Sequence, residues 1–543
     1  NRVDTDKLFS NLQDLRNIMD DYTFIDDEQE EAIRQFFQNF SIERRTALKE
    51  RFISLWDVLG NIYKGFRESL ASQNIAYEGM MYRHVIEHLD VDKLPYEKYV
   101  FVGFNVLNKV EHTLFTQLKD AGKAVFYWDY DEFYMKENRQ AVTHEAGEFI
   151  RRNLRDFPSP LSGELFKNLS KPKEVHYIAS STENAQARYL PEWVRGLARE
   201  HSTPDSEKEN AVVLCNESLL LPVLHSLPAE VKHVNITMGF PLSQTPVYSF
   251  LIALLELHTH GFNFKSGRYT FQSVVTLLKH PYTRQLTGQA ELLEKELTRN
   301  NRFYPLPGEL GKDEFLTRLF TPLSGNLNLC IRLSETLQQV AGIYQANTSG
   351  PEDTDAFNQL YRESLFKAYT TINRFRTLIE EDELTVQSET FRRLLVKVLS
   401  ATNIPFHGEP AIGMQVMGVL ETRNLDFRHL VLLSVNEGQL PKSGGDSSFI
   451  PYNLRKAFGM TTIEHKIAVY AYYFYRLLQR AERITLIYNT SSDGLNRGEW
   501  SRFMLQFLIE WPHPITRQFL EAGQSPQGTS PITVEKTPDV MRR

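Results

Sequence analysis

The stretch from Met414 to Asn489 constrains the fold more than any other part of the chain. It reads MQVMGV, a polar turn ETRNLDF, the wholly apolar run LVLLSV, a Gly/Pro loop NEGQLP, a polar loop, a 22-residue amphipathic stretch ending YRLLQRAER, and a third apolar run ITLIYN. Short apolar runs bounded by turn residues and joined through a helix indicate parallel strands buried on both faces, whose C-terminal ends carry binding loops. The segment is therefore expected to form a β-loop-β-loop-α-β unit within an α/β fold. At about 100° per residue, Ile463, Ile467, Tyr470, Phe474, Leu477, Leu478 and Ala481 share one helix face, and Arg476, Arg480 and Arg483 cluster opposite. Thr461 and Glu464 have the spacing of a capping box. Spacing alone reads the arginines as a solvated basic face.

The rest of the chain extends this pattern on both sides. Residues 1 to about 90 repeat apolar residues at helical spacing in LFSNLQDLRNIM, DEQEEAIRQFFQNF and LKERFISLWDVLGNIYKGFRESL, with Asp26 and Asp27 placed to cap the second helix. YEKYVFVGFN, a helix over Val110 to Asp120 and AVFYWD make a β-α-β unit. FPSPLSGELFKNLSKPK is a hinge candidate. VHYIAS, the helix NAQARYLPEWVRGLA and NAVVLCN open a second α/β region. A long helical block interrupts that region before the pattern resumes at Ile412. Residues 512–543, rich in Pro, Gly, Ser and Thr, read as a linker.

With 543 residues the chain exceeds one ordinary core, and about 150 residues per domain predicts three or four units. No run approaches the ~18 apolar residues of a membrane span. Cys215 and Cys330 are the only cysteines, too few for a disulfide framework or a cysteine metal cluster, so a reducing cytoplasm is the expected location. The net charge of −7 argues against a uniformly basic nucleic-acid coat but leaves room for a local groove.

In order and residue type, the Met414–Asn489 unit resembles motifs V and VI of the UvrD/Rep-like superfamily 1 helicases. The residues that carry the resemblance are Arg423 to Phe427 before a buried strand, Glu437, Gly438, Leu440 and Pro441 after it, and Phe474, Leu478, Arg480 and Ala481 before the last strand. Over about residues 20 to 510 the chain is similar to the AddB-type subunits of bacterial helicase-nuclease complexes. The resemblance implies RecA-like (P-loop NTPase-type) domains with parallel sheets and large helical insertions. Residues 1–95 would be the helical insertion of the first motor domain, 96–172 the remainder of that domain, and 173–258 the first part of the second. Residues 259–405 would be an inserted helical domain, 406–511 the part bearing motifs V and VI, and 512–543 a linker toward a nuclease domain. That nuclease domain and its iron-sulfur cluster would follow this chain, and a Walker loop would lie upstream of Asn1. The implied partners are DNA, as double-stranded ends and single strands, and an AddA-like helicase subunit, with no membrane.

Motors of this kind hydrolyse ATP with a Gly-rich phosphate loop, an Asp-Glu pair for magnesium and arginines facing the transferred phosphoryl group. No G-x-x-x-x-G-K-[ST] occurs in the chain. Where the resemblance places Asp-Gly-Phe at the magnesium strand, this chain has Val102, Gly103 and Phe104, and valine offers no ligand atom. Gln186, Ala187 and Arg188 stand in place of Glu-Ala-Arg, and Cys215 in place of an arginine. Arg480 is the arginine-finger candidate, and Arg423 a phosphate or DNA contact. Arg188, Arg476, Asp426, Phe427 and Glu437 complete the nucleotide- or DNA-binding candidates. Asp129, Asp131 and Glu132 read as a capped, solvated turn rather than a metal site. Glu464-His465-Lys466 imitates half of a nuclease motif, but it opens a helix instead of lying on a strand beside a second acid. Phe427, Tyr452 and Trp128 are candidate exposed stacking residues, and Arg455 and Lys456 candidate phosphate contacts. The expected function is a helicase-like core for processing DNA ends with degenerate ATPase motifs. The alternatives are an active ATP-dependent helicase and a non-catalytic scaffold.

Overall fold

The computed structural model describes Leu8 and residues 47–135, 143–161, 163–198, 204–347, 356–405, 413–442, 448, 450, 452–491 and 498–520. The chain forms two compact units: Ile236–Glu409, and one built from the segments on either side of it. The helices expected before residue 47, with Asp26 and Asp27, lie outside the described residues.

In the first unit, α1 (Ala47–Ser72) and α2 (Glu78–His88) precede a small β-α-β unit of β1 (Tyr99–Val102), α3 (Lys109–Asp120) and β2 (Ala124–Tyr127). β1 and β2 pair in parallel. Asn108 caps α3 through a capping box with Glu111. After α4 (Glu148–Asp156) comes a seven-stranded sheet. It is built from β3 (Glu174–Ser180), β4 (Asn210–Leu214), β5 (Val234–Ile236), β6 (Met414–Gly418), β7 (His429–Leu433), β8 (Arg483–Asn489) and β9 (Thr516–Leu520), in the spatial order β9-β3-β8-β7-β4-β6-β5. The pairings from β9 through β6 are all parallel. Every residue of β6 and β7 is buried, which is why these strands read as continuous apolar runs instead of alternating ones. α5 (Glu183–Ala198) leads from β3 toward β4, α6 (Ile463–Leu478) enters β8, and α7 (Arg502–Glu510) leads into β9. One continuous core joins the β1-β2 layer to the large sheet, running through Phe115, Phe126, Val213, Leu432, Tyr475 and Phe507.

The second unit is helical, with its longest helices at Asn326–Asn347 and Ala356–Glu380. Its two ends meet where Phe240–Pro241 pairs antiparallel with Asn403–Ile404, so the inserted chain closes on itself. It is wider than the 259–405 read from sequence. The apolar helix Pro246–Glu256, assigned there to the α/β region, buries Phe250, Leu251 and Leu254 inside this unit instead. Residues 1–95, 96–172 and 173–235 in turn share one compact unit with the C-terminal segment.

Two further expectations fail. The supposed linker opens with β9, which pairs with β3; its side chains are almost all exposed, so no apolar period marks it, and residues 521–543 lie outside the described residues. The supposed hinge is packed, with Phe166 and Leu169 buried and the backbone N–H groups of Asn168 and Leu169 bonded to Asp131. Among the described residues no helix is long and apolar enough to cross a membrane.

Candidate active cleft and arginine cluster

Asp129 follows β2, and its carboxylate accepts four hydrogen bonds from the end of α6. Arg480 supplies two, Nη2 to Oδ1 at 2.7 Å and Nη1 to Oδ2 at 3.0 Å, while Arg476 Nε reaches Oδ2 at 2.8 Å and Gln479 Nε2 reaches Oδ1 at 2.8 Å. Asp426 closes the cluster from the turn before β7, 3.1 Å from Arg476 Nη2 and 3.2 Å from Arg480 Nη1. Arg476 also donates to the Leu425 carbonyl, and the Tyr472 hydroxyl to the Asp129 carbonyl at 2.8 Å. Two cations thus face two anions in partly buried surroundings, where charge-assisted hydrogen bonds are strong. Burial pushes the Asp129 carboxyl up, but the Arg480 hydrogen bonds and the two guanidinium charges outweigh it and hold it below the usual carboxylate range. Hydrogen bonding to Asp129 raises Arg480 in turn, against the effect of burial.

The basic face expected from helical spacing is not solvated. Arg476 is 3% exposed, and Arg483 pairs with Glu174 on β3 at 2.8 Å. A helix packed on nearly all sides in its C-terminal half has no free polar face; acids arriving from distant segments neutralise its arginines. The helix also starts differently from expectation. Its N-cap is Thr462, without a side-chain cap bond, and Glu464 accepts from the Tyr452 hydroxyl, so there is no Thr461-Glu464 capping box.

Beside the arginine cluster opens a cleft of about 600 Å³, lined by residues 102–106 and 420–424 with Glu111, Val469, Tyr472, Tyr473 and Arg476. One wall is the C-terminal end of β1, the other the turn after β6. The walls approach closely at Gly103, which has φ +73° and lies so near Asn424 that a β-carbon there would sit 2.7 Å from the side-chain amide. The positive φ favours glycine at this point, and a β-carbon there would also require the end of the Asn424 side chain to move aside. Arg423 lies exposed on the cleft wall. Of the acids, Glu111 accepts from the Asn108 backbone at 2.8 Å within its cap, and Glu421 is exposed. The Asn105 side-chain amide is buried and makes no hydrogen bond.

The structure therefore brings Arg476, Arg480 and Asp426 together, with Arg423 nearby on the cleft. Arg188 is separate, exposed on α5. Its neighbour Gln186 is buried and accepts the Ser434 N–H at 2.7 Å, fastening α5 to the end of β7. Glu437 pairs with Arg502 and accepts its backbone N–H at 3.0 Å, so it anchors the start of α7. Phe427 is a core residue at 6% exposure, as is Trp128 at 2%, with its indole donating to the Phe157 carbonyl; neither can stack on a base. Arg455 is buried, and its guanidinium donates to the Thr461 carbonyl rather than facing a phosphate. Tyr452 keeps an exposed ring. Asp131 is 1% exposed and spends its oxygens on the backbone N–H groups of Phe133, Asn168 and Leu169, so it is neither solvated nor available to a metal with Asp129.

Asp129 is the central residue that sequence reasoning placed wrongly. Its partner Arg480 is 351 positions away, so no local period or spacing connects them. Lys173 escaped notice for the same reason. Its ammonium donates to the carbonyls of Gln479 and Ala481, capping α6, and burial lowers it to about 8. No family model matches the chain, and no curated protein is significantly similar to it.

Proposed function

We propose that this chain is the helicase-like core of an AddB-type subunit that processes DNA double-strand ends, with RecA-like architecture retained for binding or threading DNA and ATP hydrolysis lost. One observation carries the proposal: the two arginines of the motif VI-like helix are committed to Asp129 and Asp426 beside a cleft whose opposite wall presents Val102. Hydrolysis of ATP needs a magnesium ligand, a phosphate cradle and an arginine free to meet charge developing on the phosphoryl group. Val102 supplies no ligand where the resemblance places the magnesium aspartate, and of the two acids on the cleft Glu111 is engaged in the cap of α3. The residues lining the cleft do not fit magnesium-ATP chemistry.

The order of β1-α3-β2, a seven-stranded sheet with parallel pairings and an inserted helical unit supports the helicase-like part of this reading. An AddA-like subunit would supply the motor, in the cytoplasm, and exposed Arg423 would meet the DNA backbone. The competing reading, an active ATP-driven helicase, has the cleft volume in its favour, since ligand pockets run from about 300 to 1,000 Å³. Phosphate release by the chain with ATP and single-stranded DNA separates the two. Background release is expected; DNA-stimulated turnover overturns the proposal. Fluorescence anisotropy with a labelled duplex end should show binding that weakens as salt rises. No binding at low salt would leave a scaffold.

A further inference from the structure

The inserted helical unit carries a separate surface whose chemistry the cleft does not use. Phe262–Asn263 and Arg268–Tyr269 form a short antiparallel hairpin. A third segment lies along its outer side, since Tyr269 N–H donates to the Pro305 carbonyl at 3.0 Å and Phe271 N–H to the Phe303 carbonyl at 2.9 Å. Hydrogen-bonded neighbouring backbones lie about 5 Å apart, so the three segments make a ribbon about 10 Å wide.

Phe264 is 64% exposed, Phe303 60% and Tyr304 64%. Half-buried neighbours pack against them: Phe262 meets Phe264 at 4.9 Å and Tyr269 at 4.8 Å, and Phe271 meets Phe303 at 6.0 Å between ring centroids. Three large rings in water on one ribbon are costly to keep unless something covers them.

The charge around the rings indicates what that is. Residues 262–271 contain Lys265 and Arg268 and no acid, and residues 299–306 contain Arg299 and Arg302 and no acid, in a chain with net charge −7. Arg302 pairs with Glu309 at 3.4 Å. Arg268 donates to the Tyr304 carbonyl, which holds its guanidinium against the ribbon. Among the described residues, Lys265, Arg268 and Arg299 form no ion pair. Exposed aromatic faces flanked by uncompensated cations match a strand that offers stackable bases and a phosphate backbone together. A protein interface of ordinary composition would favour the rings but not this excess of cations, with Lys265, Arg268, Arg299 and Arg302 set against Glu309.

We propose that this ribbon is a stacking platform for single-stranded nucleic acid. It is distinct from the cleft and does not depend on whether the cleft binds nucleotide. The full chain would be tested with a fluorescent oligodeoxynucleotide by anisotropy, and with a 5-iodouracil-bearing strand by photocrosslinking and peptide mapping. Crosslinks are expected within residues 262–271 and 299–306. The triple substitution Phe264→Ala, Phe303→Ala, Tyr304→Ala should weaken binding roughly ten-fold or more. Replacing the same three residues with tryptophan should retain binding, which separates stacking from folding. Lys265→Glu with Arg299→Glu should flatten the salt dependence. Unchanged affinity of the alanine variant, or crosslinks confined to the first unit, would overturn the assignment even while DNA binding by the chain persisted. Loss of binding in the tryptophan variant equal to that in the alanine variant would overturn it as well.

Discussion

Arg476 and Arg480 lie one helical turn apart and share the same two acids, yet their environments differ enough to predict different consequences. The Arg476 side chain is 4% exposed and that of Arg480 33%. Removing a buried partner strands the opposite charge, so Arg476→Ala should lower stability by about 3 kcal/mol. Water can replace part of what Arg480 provides, and Arg480→Ala should cost about 1 kcal/mol. Urea unfolding measures both. A double-mutant cycle of Arg480 with Asp129→Asn should show coupling, because Asp129 accepts two of its bonds from that guanidinium. A free arginine finger would leave stability unchanged on truncation and show no coupling, so that result would rule out a clamp. Arg423 provides the contrast. It is exposed, and Arg423→Ala should leave the unfolding midpoint in place while reducing the affinity for a DNA end and its dependence on salt.

At the scale of elements, the legible parts were those whose burial left a local period. β6, β7 and β8 showed as apolar runs because both their faces are covered, and the β1-α3-β2 unit showed as a change of period from two to 3.6 and back. β9 was illegible because its contribution to the sheet is backbone pairing with outward side chains. Phe427 and Trp128 were misplaced for the opposite reason: Phe427 lies in a turn and Trp128 at the end of an apolar run, and packing against distant segments buries both, Trp128 against Phe126 and the Phe157 carbonyl. The cleft was half legible. Val102 announced a missing ligand, but nothing local showed that Gly103 faces Asn424 from the turn after β6. That contact predicts a graded effect. Gly103→Ala should cost about 1–2 kcal/mol from positive φ and crowding combined. Adding Asn424→Gly, which removes the side chain and tolerates the φ of +58° at that position, should restore the crowding component and leave the Gly103 backbone component, which thermal unfolding of the single and double variants would resolve. Full restoration would show that backbone conformation at Gly103 is unimportant; no restoration would show that the walls do not touch.

At the scale of the molecule, the two compact units respond to acid through different groups. In the inserted unit His258 is 7% exposed, and neither of its ring nitrogens has a hydrogen-bond partner. Burial, with the nearby charge of Arg332, lowers it from 6.5 to about 4. Burial also lowers His280, in the same unit. Between those two values the unfolded chain takes up a proton at His258 that the folded unit refuses, so stability falls as pH drops through that window. The full difference for His258 is about 3 kcal/mol by the conversion of 1.4 kcal/mol per pKa unit. In the first unit Asp129 is held below its ordinary 3.8, so its contribution is present above that value and declines only as pH falls further. Acid should therefore loosen the inserted unit first, between about pH 6 and 4, while the arginine cluster stays intact. Hydrogen exchange read peptide by peptide at pH 7 and pH 5 would show this as lost protection confined to residues 236–409. The substitution His258→Phe removes the more strongly shifted group and should reduce the difference to the smaller part that His280 contributes. Uniform loss of protection across both units, or an unchanged pH response in the variant, would show that the buried histidine does not control acid stability.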